Sequence, residues 1–90
     1  MKCIRIVIHG KVQGVFYRAT AKKVADRLNL TGWIKNTKEG YVEAIISGDE
    51  DHLQEFIVWC KQGPEKALVK DVIITKKKEM VLNNFEIIRG

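Results

Sequence analysis

The 90-residue chain has one proline, two cysteines and no apolar run as long as a membrane-spanning helix. Such a helix needs about 20 apolar residues. The N-terminus, Met1-Lys2-Cys3, leads straight into a strand pattern rather than into a signal peptide. No CxxC, HxxxH or other Cys/His spacing typical of a metal site occurs. These absences predict a cytoplasmic protein that has no membrane association, no metal ion and no other cofactor.

The two cysteines are predicted to remain unpaired. Alternation along the first strand places Cys3 on the face opposite the strand's isoleucines. Cys60 shares a helical face with Phe56 and Ile57, so we interpret it as a small core side chain. The two thiols are therefore expected to point to different places, as is usual in a reducing compartment.

Hydrophobic periodicity predicts seven elements in one domain, residues 1–90. Strands are predicted over 2–9, 33–37, 41–47, 68–75 and 81–88, and helices over 16–29 and 50–62. Gly63-Pro64 ends the second helix, and Lys76 to Glu79 is predicted to form the turn between the last two strands. The order βαββαβ with a terminal strand predicts an α+β protein with a ferredoxin-like split βαβ sandwich, in which two helices cover one face of an antiparallel sheet of four to five strands.

The segment from Gly10 to Arg18 joins the first strand to the first helix and has the features of an anion-binding loop. It contains no proline, so every backbone N–H is free to donate, and Gly10 and Gly14 allow close approach or positive φ. The loop runs into a helix N-terminus, whose free N–H groups and dipole favour negative charge. Arg18 falls in the first helical turn, where the dipole disfavours a cation unless an anion lies beside it. This arrangement predicts a phosphate site.

A second candidate is Asn36, which alternation places on the same face as Ile34, where an apolar residue is expected. His9 shares a face with Arg5 and Val7, away from the predicted core, so we expect it to have an accessory or structural role. No Ser/His/Asp triad or pair of carboxylates is evident.

Two segments resemble the signature motifs of the acylphosphatase family. The first motif is matched by Ile8, Gly10, Val12-Gln13-Gly14-Val15 and Arg18. Tyr17 stands where that family more often has Phe or Met, and Ile34 fills a position usually occupied by a smaller residue. The second motif is matched by Gly32-Trp33-Ile34-Lys35-Asn36, Gly40, Val42 and Gly48. The resemblance covers nearly the whole chain.

The resemblance implies hydrolysis of acyl phosphates to a carboxylate and inorganic phosphate by in-line attack of water, without a metal ion or a covalent intermediate. It implies that Arg18 and Asn36 are catalytic, with Asn36 orienting the attacking water. The predicted phosphate-binding residues are Lys11, Val12, Gln13, Gly14, Val15, Phe16, Tyr17 and Arg18. The predicted partners are a small-molecule acyl phosphate and inorganic phosphate, as product and competitive inhibitor, and the protein is predicted to be a monomer.

Two other functions are compatible with parts of the sequence. The net charge of +5 is compatible with nucleic-acid binding. However, the first strand has no aromatic residue on which a base could stack, so binding of nucleic acid is not predicted. The other alternative is a non-catalytic module, such as an acyl-phosphate-sensing or carbamoyl-phosphate-handling domain of a larger enzyme.

Overall fold

A computed structural model describes residues 2–78 and 83–89. In chain order the elements are β1 (Lys2–Lys11), α1 (Tyr17–Arg27), β2 (Thr31–Asn36), β3 (Val42–Gly48), α2 (Glu50–Gln62), β4 (Leu68–Lys77) and β5 (Phe85–Ile88). These elements match the predicted order, and both helices begin within one residue of their predicted starts. None of the helices in the described ranges is long and apolar enough to cross a membrane.

The five strands form one sheet in the order β4-β1-β3-β2-β5. The ferredoxin-like α+β architecture is therefore confirmed, with one difference: β5 pairs with β2 in parallel, whereas the other three pairs are antiparallel. The sheet is therefore mixed, and β4 and β5 are its two edge strands, which do not pair with each other.

The predicted turn between the last two strands does not begin at Lys76, because Lys76 and Lys77 both belong to β4. Ladder pairing with β1 continues to Lys77, which lies opposite Cys3, so the backbone there remains extended. The prediction that the last strand includes Asn83 and Asn84 is wrong, because both are exposed bend residues of a type disfavoured in strands, and β5 begins at Phe85. Glu79 in the turn and residues 81–82 in the last strand lie outside the described residues.

One hydrophobic core lies between the sheet and the two helices. The sheet contributes the alternating residues Ile4, Ile6 and Ile8, and the same cluster contains residues of both helices, among them Val24 and Phe56. Both helices therefore cover the same face of the sheet, as predicted. Cys3 and Cys60 are buried and unpaired, which confirms the prediction that they form no disulfide.

The directions of the strands position the site. Strands β1 and β2 are each antiparallel to β3, and β5 is parallel to β2. All three therefore run in the same direction, and their carboxyl ends lie side by side at one end of the sheet. We call this end the upper edge, as distinct from the edge strands β4 and β5. The chain leaves β1 at this edge and enters α1, so the N-terminus of α1 lies there too. The carboxyl ends of strands and the amino end of a helix together favour the binding of an anion.

Candidate active site

Five residues, 12–16, connect β1 to α1, and two of them have left-handed backbone conformations. Gly14 has φ 74° and Phe16 has φ 64°. A Cβ atom placed on Gly14 would meet no heavy atom within 4 Å, so this part of the loop borders open space. For Phe16 the left-handed conformation costs about 1–2 kcal/mol, and its side chain is 78% exposed. Local strain of this kind is concentrated at functional sites.

The backbone N–H groups of residues 13–19 are available to a ligand. Within the described ranges, no protein acceptor receives any of them, and the first backbone bond of α1 is from Thr20 N–H to the Phe16 carbonyl. The first turn of α1 has no acidic residue, and no side chain caps it. Arg18 lies in this turn and forms no ion pair with any residue that the structure describes. The loop and the helix start therefore present positive potential with no protein counter-charge.

The Gln13 side chain fixes the loop against the β2–β3 hairpin. Its Nε2 donates to the carbonyl oxygens of Thr37 at 2.9 Å and Tyr41 at 2.8 Å. These residues flank the turn that follows β2, so the bonds hold the loop at a fixed distance from the end of β2. The role of the Gln13 side chain is thus to position the loop, and its amide group is not directed at a ligand.

Buried side chains anchor the loop to the hydrophobic core. Val12, Val15 and Tyr17 are each at most 5% exposed and belong to the core. The Tyr17 hydroxyl donates to the Cys60 carbonyl at 2.8 Å, which ties the start of α1 to the end of α2. Burial is the main reason that the pKa of Tyr17 is raised far above its ordinary value, so this hydroxyl stays protonated and donates. The loop is consequently held rigidly while its N–H groups stay free.

Asn36, the last residue of β2, shares the core face with the fully buried Ile34, as the alternation predicts. Its Oδ1 atom is buried and accepts no hydrogen bond from the described residues. Buried acceptors are nearly always paired in folded proteins. The carboxamide of Asn36 therefore has hydrogen-bonding capacity that no described protein group uses.

Arg18 and Asn36 line one cavity of about 450 Å³ at the upper edge. The two predicted catalytic residues, which are 18 positions apart in the sequence, are therefore brought together. The full lining consists of Val12, Gly14, Phe16, Tyr17, Arg18, Ala19, Asn36, Ile87 and Arg89. Five of the eight predicted phosphate-binding residues are in this set.

The other three predicted phosphate-binding residues do not line the cavity. Lys11 is the last residue of β1, paired with Leu68 and exposed. Gln13 points its amide towards the hairpin, and Val15 points into the core. Any contact of Gln13 or Val15 with an anion at this place would have to come from the backbone.

Ile87 and Arg89 belong to the cavity lining but were not predicted from the sequence. Both follow from alternation along the last strand, because Phe85 is 1% exposed and Ile87 packs against the core. Arg89 is the next residue on that face. The alternation is visible in the sequence, but it assigns these two residues to the site only once β5 is known to pair with β2.

His9 lies outside this cavity. Its ring packs against Tyr41, with the ring centroids 3.8 Å apart. A second cavity, of about 490 Å³, lies at the opposite edge of the sheet, where Lys2, Cys3 and Lys77 line it together with residues of α2. None of the predicted site residues is part of that cavity.

Comparison with known proteins gives the family. The family model described as Acylphosphatase matches residues 4–87. An acylphosphatase of Legionella pneumophila (strain Corby) is 48% identical over 67 residues, which is 74% of each chain. An acylphosphatase of Gloeobacter violaceus is 38% identical over 83 residues, 92% of this chain and 89% of the relative.

Comparison with solved structures indicates the same family. The crystal structure of acylphosphatase from Bacillus subtilis superimposes with a TM-score of 0.95 at 34% identity, covering 99% of this chain and 100% of that one. The match extends over the loop, the hairpin and β5, which together form the cavity at the upper edge. The chain therefore belongs to the acylphosphatase family.

Proposed function

We propose that this protein hydrolyses acyl phosphates to a carboxylate and inorganic phosphate by direct in-line attack of water, without a metal ion and without a covalent intermediate. The observation that carries the proposal is the convergence of three groups on one cavity. These groups are the loop, whose backbone N–H groups have no acceptor among the described residues, the Arg18 side chain and the Asn36 side chain.

The loop and Arg18 bind the phosphoryl group. Phosphoryl transfer requires mainly positioning and stabilisation of charge on the equatorial oxygens. Backbone N–H groups at a helix N-terminus supply fixed donors, and the planar guanidinium of Arg18 supplies two parallel donors with a permanent charge. Because these groups are positioned before the substrate binds, little reorganisation is needed during the reaction.

Asn36 orients the attacking water. Its carboxamide oxygen accepts a hydrogen bond and holds the water in line with the bond to be broken, but it has no capacity to act as a base. The proton of the water passes to a phosphoryl oxygen of the substrate. The leaving group is a carboxylate, which needs no protonation, so a general acid is not required.

We also propose the setting in which the reaction takes place. The protein acts as a monomer in the cytoplasm on a small-molecule substrate and does not bind nucleic acid. Inorganic phosphate, as the product, occupies the same groups as the substrate phosphoryl and is therefore a competitive inhibitor.

The test is hydrolysis of benzoyl phosphate in the presence of EDTA by the wild type, Arg18→Ala and Arg18→Lys. We expect turnover by the wild type with EDTA present, and a fall in kcat/KM of about 10²-fold or more for both variants. Arg27→Lys, at the exposed last turn of the same helix, is the matched control and should retain wild-type kcat/KM.

Two results would contradict the proposal. Near-normal turnover by Arg18→Ala would exclude Arg18 from phosphoryl binding. Stabilisation of the wild type by phosphate against thermal unfolding, with no turnover of benzoyl phosphate, would instead indicate a non-catalytic binding module.

A further inference from the structure

Arg89 is brought to the site by the pairing of β5 with β2. In this parallel pair Ile34 lies opposite Ile87 and Lys35 lies opposite Ile88. Arg89 directly follows the end of β5, and continuing this register by one residue would place it next to Asn36. Residues opposite each other in a sheet share a face, so Arg89 follows Ile87 onto the face where Asn36 lies.

Arg89 also lines two adjoining cavities together with Arg18 and Asn36. One is the cavity of about 450 Å³ that contains the loop. The other has about 280 Å³ and is lined by Arg18, Asn36, Ile88 and Arg89 without the loop residues. Arg18, in the first turn of α1, and Arg89, directly after β5, therefore border the same two cavities as Asn36.

The residues that the structure describes provide no counter-charge for the two arginines. No carboxylate side chain lines either cavity. Among the residues that the structure describes, neither Arg18 nor Arg89 forms an ion pair. Two fixed cations at one cavity repel each other unless an anion lies between them. The charge at this place thus exceeds what one guanidinium and a helix N-terminus supply.

We propose that Arg89 is a second guanidinium of the phosphoryl site, binding the phosphoryl oxygen on the Asn36 side and making the site selective for anions with two negative charges. This inference rests on the proposed function. A phosphoryl group has three equatorial oxygens, and the loop N–H groups and Arg18 approach from the helix side. Arg89 approaches from the sheet edge and fixes the face of the phosphorus that the water attacks.

The test compares two tetrahedral anions of different charge, sulfate (dianion) and perchlorate (monoanion), by isothermal titration calorimetry. In Arg89→Gln we expect the Kd of sulfate to rise about 10–100-fold, the loss for one charge-assisted hydrogen bond. The Kd of perchlorate should change by a much smaller factor. Lys38→Gln, an exposed charge in the turn after β2, is the control for the general electrostatic field and should leave the ratio of the two Kd values unchanged.

Two results overturn the inference. An unchanged sulfate Kd in Arg89→Gln excludes contact with the anion, and an equal rise for both anions shows that Arg89 only supports the structure of the site. If Arg89→Gln does not fold by circular dichroism, Arg89→Lys decides: a smaller but measurable loss of sulfate selectivity supports the inference, and wild-type selectivity overturns it. Because no readout is turnover, a failure of the hydrolase proposal is seen separately, as absent turnover by the wild type.

Discussion

Replacing Asn36 with alanine should separate the stability of the protein from its activity. The Oδ1 atom of Asn36 is buried without a protein partner among the described residues, and an unpaired buried acceptor costs about 1–3 kcal/mol. Alanine removes this cost and is less depleted in strands than asparagine, but it loses the van der Waals contacts of the carboxamide, at about 1 kcal/mol. We therefore expect the free energy of unfolding to remain unchanged or to rise by up to about 2 kcal/mol.

The activity of the same variant should fall steeply. Without the carboxamide, water is no longer held in line with the bond that breaks, and kcat should decrease about 10²–10³-fold. The loop N–H groups and Arg18 are unchanged, so the competitive inhibition constant of phosphate should stay within about twofold of wild type. The measurements are urea denaturation, steady-state hydrolysis of benzoyl phosphate and inhibition by inorganic phosphate.

Thr31 offers a matched control at the other end of β2. Its Oγ1 is also buried and has no partner among the described residues. Thr31→Val should raise or maintain stability in the same way, with no change in kcat. The assignment of Asn36 to the water would be refuted if Asn36→Ala lost phosphate affinity and kcat equally, or if it retained wild-type kcat.

Three further variants test the loop and its anchors. Gln13→Ala removes two hydrogen bonds to the hairpin, so the free energy of unfolding should fall by about 2 kcal/mol and the phosphate inhibition constant should rise; an unchanged inhibition constant would show that the loop does not depend on these bonds. Phe16→Gly relieves the left-handed strain and should stabilise the protein by about 1 kcal/mol in thermal unfolding, whereas a lower melting temperature would contradict the strain argument. Burial raises the pKa of Cys60 from 9.0 to about 12 and raises that of Tyr17 as well. The contribution of these groups to stability should therefore be complete below about pH 9 and decline above it, because the unfolded chain then binds fewer protons than the folded chain. The free energy of unfolding should fall by about 1.4 kcal/mol per pH unit for each group. Tyr17→Phe should reduce this slope above about pH 10 in urea titrations, and an unchanged slope would contradict the assignment.

Local patterns were sufficient to predict most of the fold. The periodicity of apolar residues located both helices and the first four strands, because each of these elements buries one regular face. The parallel pairing of β5 with β2 was not predicted, since it joins segments more than 50 residues apart and depends on which edge of the sheet is free. Alternation within a strand gives its faces but not its neighbour.

The same distinction applies to the site. The face of Asn36 and the position of Arg18 in the first turn of α1 follow from local spacing, so both were predicted. Arg89 was missed because its face has meaning only after β5 is placed beside β2. The role of the Gln13 side chain was missed because its acceptors are backbone carbonyls 24 and 28 residues away, which leave no signal in residue type.

The Gln13 bonds make the anion-binding loop and the hairpin turn one cooperative unit. Any ligand that restricts the loop must also slow the opening of the turn, and the hydrogen-exchange protection of the Tyr41 amide, which donates to the Thr37 hydroxyl, should increase when phosphate binds. By the reciprocity of linked equilibria, substitutions at the solvent-facing tip of that turn are a means to tune substrate affinity without altering any group that contacts the substrate.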